Sequence, residues 1–245
     1  MNQPSVCAVM VTADRPEFVK KAVECFLKQS YESARLLIFD SSLSCEPILH
    51  PKIAYARAPR LRGSAIGFLR NTANEMVTAD VIVHWDDDDW SHPNRIAEQV
   101  DLLAATGADV VGYNEMLFWR TAPLSAQYPD GADVPPREQA WLYRHHRVNY
   151  ALGTSLCYWR KTWDAKPFKA ELGRAGGTGE DHDWIQGLGV IAATAVPGLT
   201  EENEQPRMIA RIHGANTSGQ YQNLEGSDSW KRVPEWDARV REMLA

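Results

Sequence analysis

Four consecutive carboxylates, Asp86-Asp87-Asp88-Asp89, follow the apolar run Val81-Ile82-Val83-His84-Trp85. Like charges this close raise one another's cost of ionisation, and a cation relieves it. In an extended chain Asp86 and Asp88 share one face, and Asp87 and Asp89 the other. One face is then available to a divalent ion while neighbouring groups hold the other. Hard oxygen donors suit Mg2+ or Mn2+, which keep water and substrate phosphate in their coordination shell. The bland alternative is a solvated acidic turn; the apolar strand before the run and Trp90 after it weigh against that.

A second acidic group, Glu180-Asp181-His182-Asp183, follows Gly176-Gly177-Thr178-Gly179. Acids favour helix N-termini through the dipole, which is the structural explanation. The chemical one is a carboxylate general base on a mobile segment, with the glycines as its hinge. His213 stands after an apolar run and before Gly214 and polar residues. A lone histidine is commonly a satisfied structural residue, but at a strand end it is also placed to ligate a metal or a diphosphate. Imidazole suits Mn2+ better than Mg2+.

Residues 5–12, 35–40, 53–56, 80–85 and 109–113 read as strands. Between them, a helix opens at Asp14-Arg15-Pro16-Glu17, with Asp14 as cap, Pro16 early and Glu17 at capping-box spacing. Residues 63–77 form a second helix. A third opens at Ser91-His92-Pro93, with Ile96, Val100 and Leu103 on its apolar face. Alternation of this kind predicts a mostly parallel sheet covered on both faces, with ligands beyond the strands' C-terminal ends. Thr12, Asp40 and the acidic run all fall at such ends. The second half is less regular. Residues 121–137 read as a surface excursion, 155–160, 191–196 and 207–213 as strands, 180–188 as a helix and 229–245 as a terminal helix.

The chain has 245 residues and a formal charge of −6, which weighs against a nucleic-acid backbone as main partner. Cys7, Cys25, Cys45 and Cys157 lack zinc spacing and read as reduced core residues. The N-terminus lacks a basic, apolar leader pattern, and no window approaches the ~18 apolar residues of a membrane span. The expectation is a cytoplasmic protein with no stable membrane span.

Together these residues resemble the family-2 glycosyltransferases of the GT-A fold. The resemblance rests on Val11-Thr12-Ala13-Asp14-Arg15-Pro16 at the first strand end, Asp40 at the second and Gly63 through Arg70-Asn71 in a helix. Trp85 followed by the four aspartates matches the DxD strand, and Glu180-Asp181 the later E-D motif. Val11 stands where proline is common, and Ala13 where an aromatic is. The resemblance covers the first ~110 residues well and the second half by two short motifs.

It implies an α/β, Rossmann-like GT-A domain over residues 1–245. Residues 1–113 would be the nucleotide-sugar half, 114–228 the acceptor-binding and catalytic half, and 229–245 the terminal helix. It implies inverting transfer from a nucleotide-diphosphate sugar, a UDP-sugar first, to an acceptor hydroxyl. Thr12 and Asp40 would hold the nucleoside, with Asp14 and Arg15 beside them, and Asp86 or Asp87 the ribose or sugar. Arg70 would meet the leaving diphosphate. Asp88, with His213, would bind Mn2+ or Mg2+. Asp181 would be the base, with Glu180 its neighbour and Asp183 an alternative. Trp90, Trp119 and Trp159 are candidates for stacking on a sugar. The acceptor is open and includes modified nucleic acid. Rival readings are a nucleotidyltransferase, disfavoured because Thr12-Ala13-Asp14-Arg15 has no glycine, and an Asp-nucleophile phosphohydrolase, whose D-x-D would follow the first strand. A non-catalytic nucleotide-sugar binder would not need Asp181.

Overall fold

A computed structural model describes residues 3–121, 138–147, 150–173, 179–188, 205–213, 224 and 226–245. The element order is β1 (Val6–Thr12), α1 (Pro16–Leu27), β2 (Ala34–Asp40), β3 (Ile53–Arg57), α2 (Ile66–Glu75), β4 (Val81–His84), β5 (Trp90–Ser91), α3 (Arg95–Thr106) and β6 (Val110–Val111). Then come β7 (Glu115–Arg120), β8 (Gln139–Arg144), β9 (Cys157–Trp159), α4 (Arg160–Ala165), α5 (Glu180–Gln186), β10 (Met208–Ile212), β11 (Trp230–Arg232) and α6 (Asp237–Leu244).

One sheet runs β3-β2-β1-β4-β9-β6. Its first four strands are parallel, while β9 pairs antiparallel with both β4 and β6. A strand buried on both faces reads as a continuous apolar run. In β1, Val6, Ala8 and Met10 face α1 and α3, packing with Val19, Phe26, Ile96 and Leu103. Cys7 and Val9 face the other way, toward Leu69 and Ala73 of α2 and Trp184 of α5. The expected parallel α/β layer is therefore present.

A second sheet, β11-β8-β7-β10-β5, was not expected. Its strands pair antiparallel except β7 with β10. One face gathers Met116, Phe118, Trp141 and Ile212; the other gathers Leu117, Trp119 and Ile209 under Val240 and Leu244 of α6. The acidic run is the joint between the sheets, since β4 leads into it and β5 leaves it.

Several boundaries differ from the sequence reading. Asp14 does not cap α1: it has φ +57°, and its carboxylate pairs with Arg62 while Glu17 pairs with Lys20. The helix expected at Ser91 starts at Arg95, because Trp90 and Ser91 pair with Ile209 and Met208. The helix expected over 229–245 is split, because residues 230–232 pair with β8 and only Asp237–Leu244 is α-helical. The excursion at 122–137, the strand at 191–196 and the Gly176–Thr178 hinge lie outside the described residues. Among the described residues no helix is long and apolar enough to cross a membrane.

Candidate active site

A cavity of about 720 Å³ opens at the C-terminal ends of β1 and β4. Thr12, Arg15, Arg70, Asp86, Asp87, Asp88, Glu180 and Asp181 all line it, so residues up to 169 positions apart converge there. Asp14, Asp40, Trp90 and His213 are not among its lining residues. Asp40 is buried just behind it. Its carboxylate accepts hydrogen bonds from Ser42 N (2.7 Å) and the Tyr55 hydroxyl. Burial alone would raise its pKa, but these donors bring it below the usual carboxylate value. Its neighbour Ser41 reaches the cavity instead.

The acidic run does not alternate as an extended chain would, because β4 ends at His84 and residues 87–88 form a turn. Asp87 and Asp88 both meet Arg15 Nη1, at 3.0 and 3.3 Å. Asp87 also accepts from Thr12 Oγ1 at 2.6 Å. Burial and the charge of Asp88 push the Asp87 pKa up to about 6. Asp86 turns the other way and pairs with Arg70 at 3.0 Å. Burial works to raise its pKa, and Arg70 brings it below the ordinary value. Asp89 points inward to the Thr154 hydroxyl and to Arg211 N (3.1 Å), and burial with two neighbouring carboxylates drives its pKa well up.

Asp88 Oδ2 accepts a 2.8 Å hydrogen bond from His213 Nε2. The imidazole stacks on Phe18 of α1, with centroids 5.0 Å apart. Among the described residues no group of three or more His, Cys, Asp and Glu donors forms a metal cage. Two protein donors in contact nevertheless fit the mode in which Mg2+ or Mn2+ takes one or two protein ligands and the rest from phosphate and water.

Arg70 is buried between Asp86 and Glu180, with Nε 2.9 Å from Glu180 Oε1. Burial opposes its charge, but Asp86, Glu180 and Asp181 outweigh it and raise its pKa. Its Nη1 is buried with no hydrogen-bond partner among the described residues. Such a donor is costly unless something else satisfies it. Glu180 is thus spent on holding Arg70, whereas Asp181 makes no ion pair among the described residues. Asp181 is half-buried and accepts from His182 N at 2.8 Å. Burial raises its pKa, against the pull of His182 N–H and Arg70. Asp183 is drawn away to Lys169 Nζ at 2.6 Å. A Cβ on Gly153 would lie 1.3 Å from Asp181 Oδ2, so that position has room only for glycine.

The sequence reading missed the opposite wall. Phe118, Tyr143, His145, Tyr150 and Trp230 line the cavity from the second sheet and its loops. None of the tryptophans nominated for stacking is there. Trp119 and Trp90 pack on the α6 side of the second sheet, and Trp159 joins the first core beside Lys161. The available signal was period-two spacing of Trp141 and Tyr143 in β8, opposite Phe118 and Met116 of β7.

Comparison with known proteins adds three findings. The family described as Glycosyl transferase family 2 matches residues 7–117. No curated protein matches the chain. Among solved structures, the chain is similar to S. aureus TarS 1–349 in complex with UDP-GlcNAc (TM-score 0.61, 13% identity, covering 89% of this chain and 61% of that one). It is also similar to the mannosyltransferase PcManGT from Pyrobaculum calidifontis in complex with GDP-Man and Mn2+ (TM-score 0.54, 16% identity, 79% and 55%). At these identities the structural likeness is one of fold, and the chain spans roughly 55–61% of their lengths.

Proposed function

We propose, for a chain that resembles the family-2 glycosyltransferases in sequence over residues 7–117 and in fold over most of its length, an inverting transfer of a sugar from a nucleoside-diphosphate donor to an acceptor hydroxyl. The observation that carries this reading is the meeting, in one cavity at the parallel strand ends, of two arginines, the four carboxylates paired with them, and a half-buried Asp181 that makes no ion pair among the described residues. Cations suit the diphosphate, and Asp181 suits the acceptor.

In this reading Thr12 and Ser41 border the nucleoside, with Asp40 and Asp14 fixing the loops around them. Asp86 and Asp87 face the ribose and sugar. Asp88 and His213 would hold Mn2+ or Mg2+, which when bound draws negative charge from the leaving diphosphate. The unmatched Nη1 of Arg70 donates to a diphosphate oxygen, and Glu180 keeps that guanidinium in place. Asp181 takes the proton from the acceptor hydroxyl as its oxygen attacks the anomeric carbon. The bond from that carbon to the diphosphate oxygen breaks, and the nucleoside diphosphate leaves. A raised pKa makes Asp181 a stronger base than an ordinary aspartate.

Calorimetry with UDP-GlcNAc and GDP-mannose, with and without Mn2+, tests the donor half. At least one should bind, and Asp88→Ala should lose the Mn2+-dependent part of the affinity; an unchanged Mn2+ effect removes Asp88 as ligand. Asp181→Asn should keep donor binding and lose on the order of 10³-fold in transfer. A folded Asp181→Asn protein that no longer binds donor counts against the base. Donor binding by the wild type without release of free nucleoside diphosphate would make it a binding protein.

A further inference from the structure

The cavity has two walls of different chemistry, and the donor reading above uses only the charged one. The second wall is built on three strands. Tyr143 of β8 lies directly opposite Trp230 of β11 in an antiparallel pair, with ring centroids 4.7 Å apart. Phe118 of β7 backs Trp230 edge-on at 4.8 Å. Next to them, His145 stacks on Tyr150 at 3.8 Å with an interplanar angle of 17°. Phe118 and Tyr150 are buried, whereas Tyr143, His145 and Trp230 are half-buried. Ser227 and Ser229 complete the wall. No lysine, arginine or carboxylate lies among the described lining residues contributed by β7, β8 and β11, although charge crowds the opposite side.

Rings with hydroxyl and imidazole edges and no formal charge do not recognise a phosphate, which calls for cations. They do recognise a flat, polyhydroxylated, neutral body. A sugar ring presents C–H groups on its faces, which match the negative face of an aromatic ring, and hydroxyls at its rim. The wall is also connected to the segment that carries the proposed base. The Tyr150 hydroxyl is 3.0 Å from His182 Nδ1, and His182 N donates to Asp181.

Resting on the transferase reading above, we infer that the acceptor presents a neutral sugar ring, which stacks on the Trp230–Tyr143 pair beside Asp181. The wall then selects a saccharide hydroxyl over the hydroxyl of a phosphate-bearing polyol.

Saturation-transfer NMR tests this with an equimolar set of methyl glycosides (glucoside, galactoside, mannoside and N-acetylglucosaminide), and with glycerol 3-phosphate as the anionic arm. The wild-type protein should transfer saturation to the ring protons of at least one glycoside and not to glycerol phosphate. Trp230→Ala should weaken glycoside binding on the order of tenfold, and Trp230→Phe should restore most of it. Donor affinity, measured in parallel by calorimetry, should be unchanged in both variants. A wild-type protein that binds donor but no glycoside overturns the inference, as does one that prefers glycerol phosphate. Equal glycoside binding by a folded Trp230→Ala variant overturns it too. Failure of the wild type to bind either nucleotide sugar would fall on the transferase reading instead.

Discussion

The two sheets face one cavity with opposite chemistry. The edge at β1 and β4 brings charge: Arg15, Arg70 and three aspartates, each tied to another. The face made by β7, β8 and β11 brings rings: Phe118, Tyr143 and Trp230. The three aspartates are gathered locally, in one stretch after one strand. The rings come from three strands, the last of which, β11, begins more than a hundred residues after β7. What couples the two regions is the short turn Gly153–Ser155, whose Ser155 Oγ accepts from Tyr113 N, just before β7, at 2.8 Å. Gly153 O accepts from His84 Nδ1 at 2.8 Å, and the Thr154 hydroxyl holds Asp89. Burial and the nearby Arg70 charge push the His84 pKa well below the ordinary imidazole value, which favours the neutral ring in this contact. The Gly153 Cα leaves room for the Asp181 carboxylate.

The largest way to break this coupling is Gly153→Ala. The added methyl would sit 1.3 Å from Asp181 Oδ2 and 2.7 Å from Asp181 Cβ, so α5 must shift. A displacement of about 1 Å in a reacting group costs on the order of 10²-fold in rate. Donor hydrolysis or transfer should fall by at least that much, while donor affinity measured by calorimetry changes little. Gly107→Ala is the contrast. Gly107 ends α3 with φ +65° and nothing within 4 Å of its would-be Cβ. It should cost about 1 kcal/mol in a urea melt and leave turnover intact. Equal activity loss in both would show that Gly153 matters to stability alone.

The same contrast explains what could be read beforehand. β1, β2 and β4 are buried on both faces, so their apolar runs announced themselves, and the residues just after them were placed by the rule for parallel sheets. Thr12 and Asp86–Asp88 lie at those ends and line the cavity, whereas Arg15 and Arg70 were nominated by the family resemblance and Asp181 by its acidic motif, and they line it from outside any strand. β11 has only three residues, Trp-Lys-Arg, and becomes a strand through pairing with residues 141–143. No window of sequence contains that pairing. The nominated tryptophans failed for a related reason: burial of Trp90 and Trp119 is decided by α6, which packs over them from the end of the chain. Alternation within the acidic run failed because a turn, not an extended chain, carries Asp87 and Asp88.

Arg95 should matter next. It is fully buried on α3, with no carboxylate in hydrogen-bond contact among the described residues, and burial lowers its pKa. Its Nη2 donates to His84 O at 2.9 Å and Thr154 O at 3.1 Å, its Nη1 to Ser91 Oγ at 2.9 Å, and the guanidinium lies 5.1 Å from the centre of a Trp85 ring. It therefore ties the end of β4 to the coupling turn. Arg95→Met leaves two backbone carbonyls unmatched inside the protein, and should cost about 2–4 kcal/mol in a urea melt. Because both walls lean on that turn, donor affinity and transfer should weaken together, unlike the selective loss in Gly153→Ala. A variant as stable as wild type would show that the turn is held by Gln99, which donates to Ser155 O at 2.7 Å, without help from Arg95.

The smallest effect is the most specific, because it reads Asp181 itself. Burial raises its pKa above the ordinary aspartate value of about 3.9. As a base it works deprotonated, so kcat/KM should fall as pH drops through that raised pKa, with an acid limb above about pH 4. Stability should move in the opposite sense. A carboxyl whose folded-state pKa exceeds its unfolded value stabilises the protein fully below the unfolded pKa, and that contribution is lost as pH rises through the folded one. Asp181→Asn should therefore melt slightly higher than wild type at pH 7, with the difference shrinking toward about pH 4. Thermal melts across that window and a pH–rate profile measure the two sides of one shift. An acid limb at the ordinary value, together with no gain in Asp181→Asn, would mean that Asp181 is solvated in the working enzyme. The glycine at position 153 would then make room for a side chain that had no need of burial.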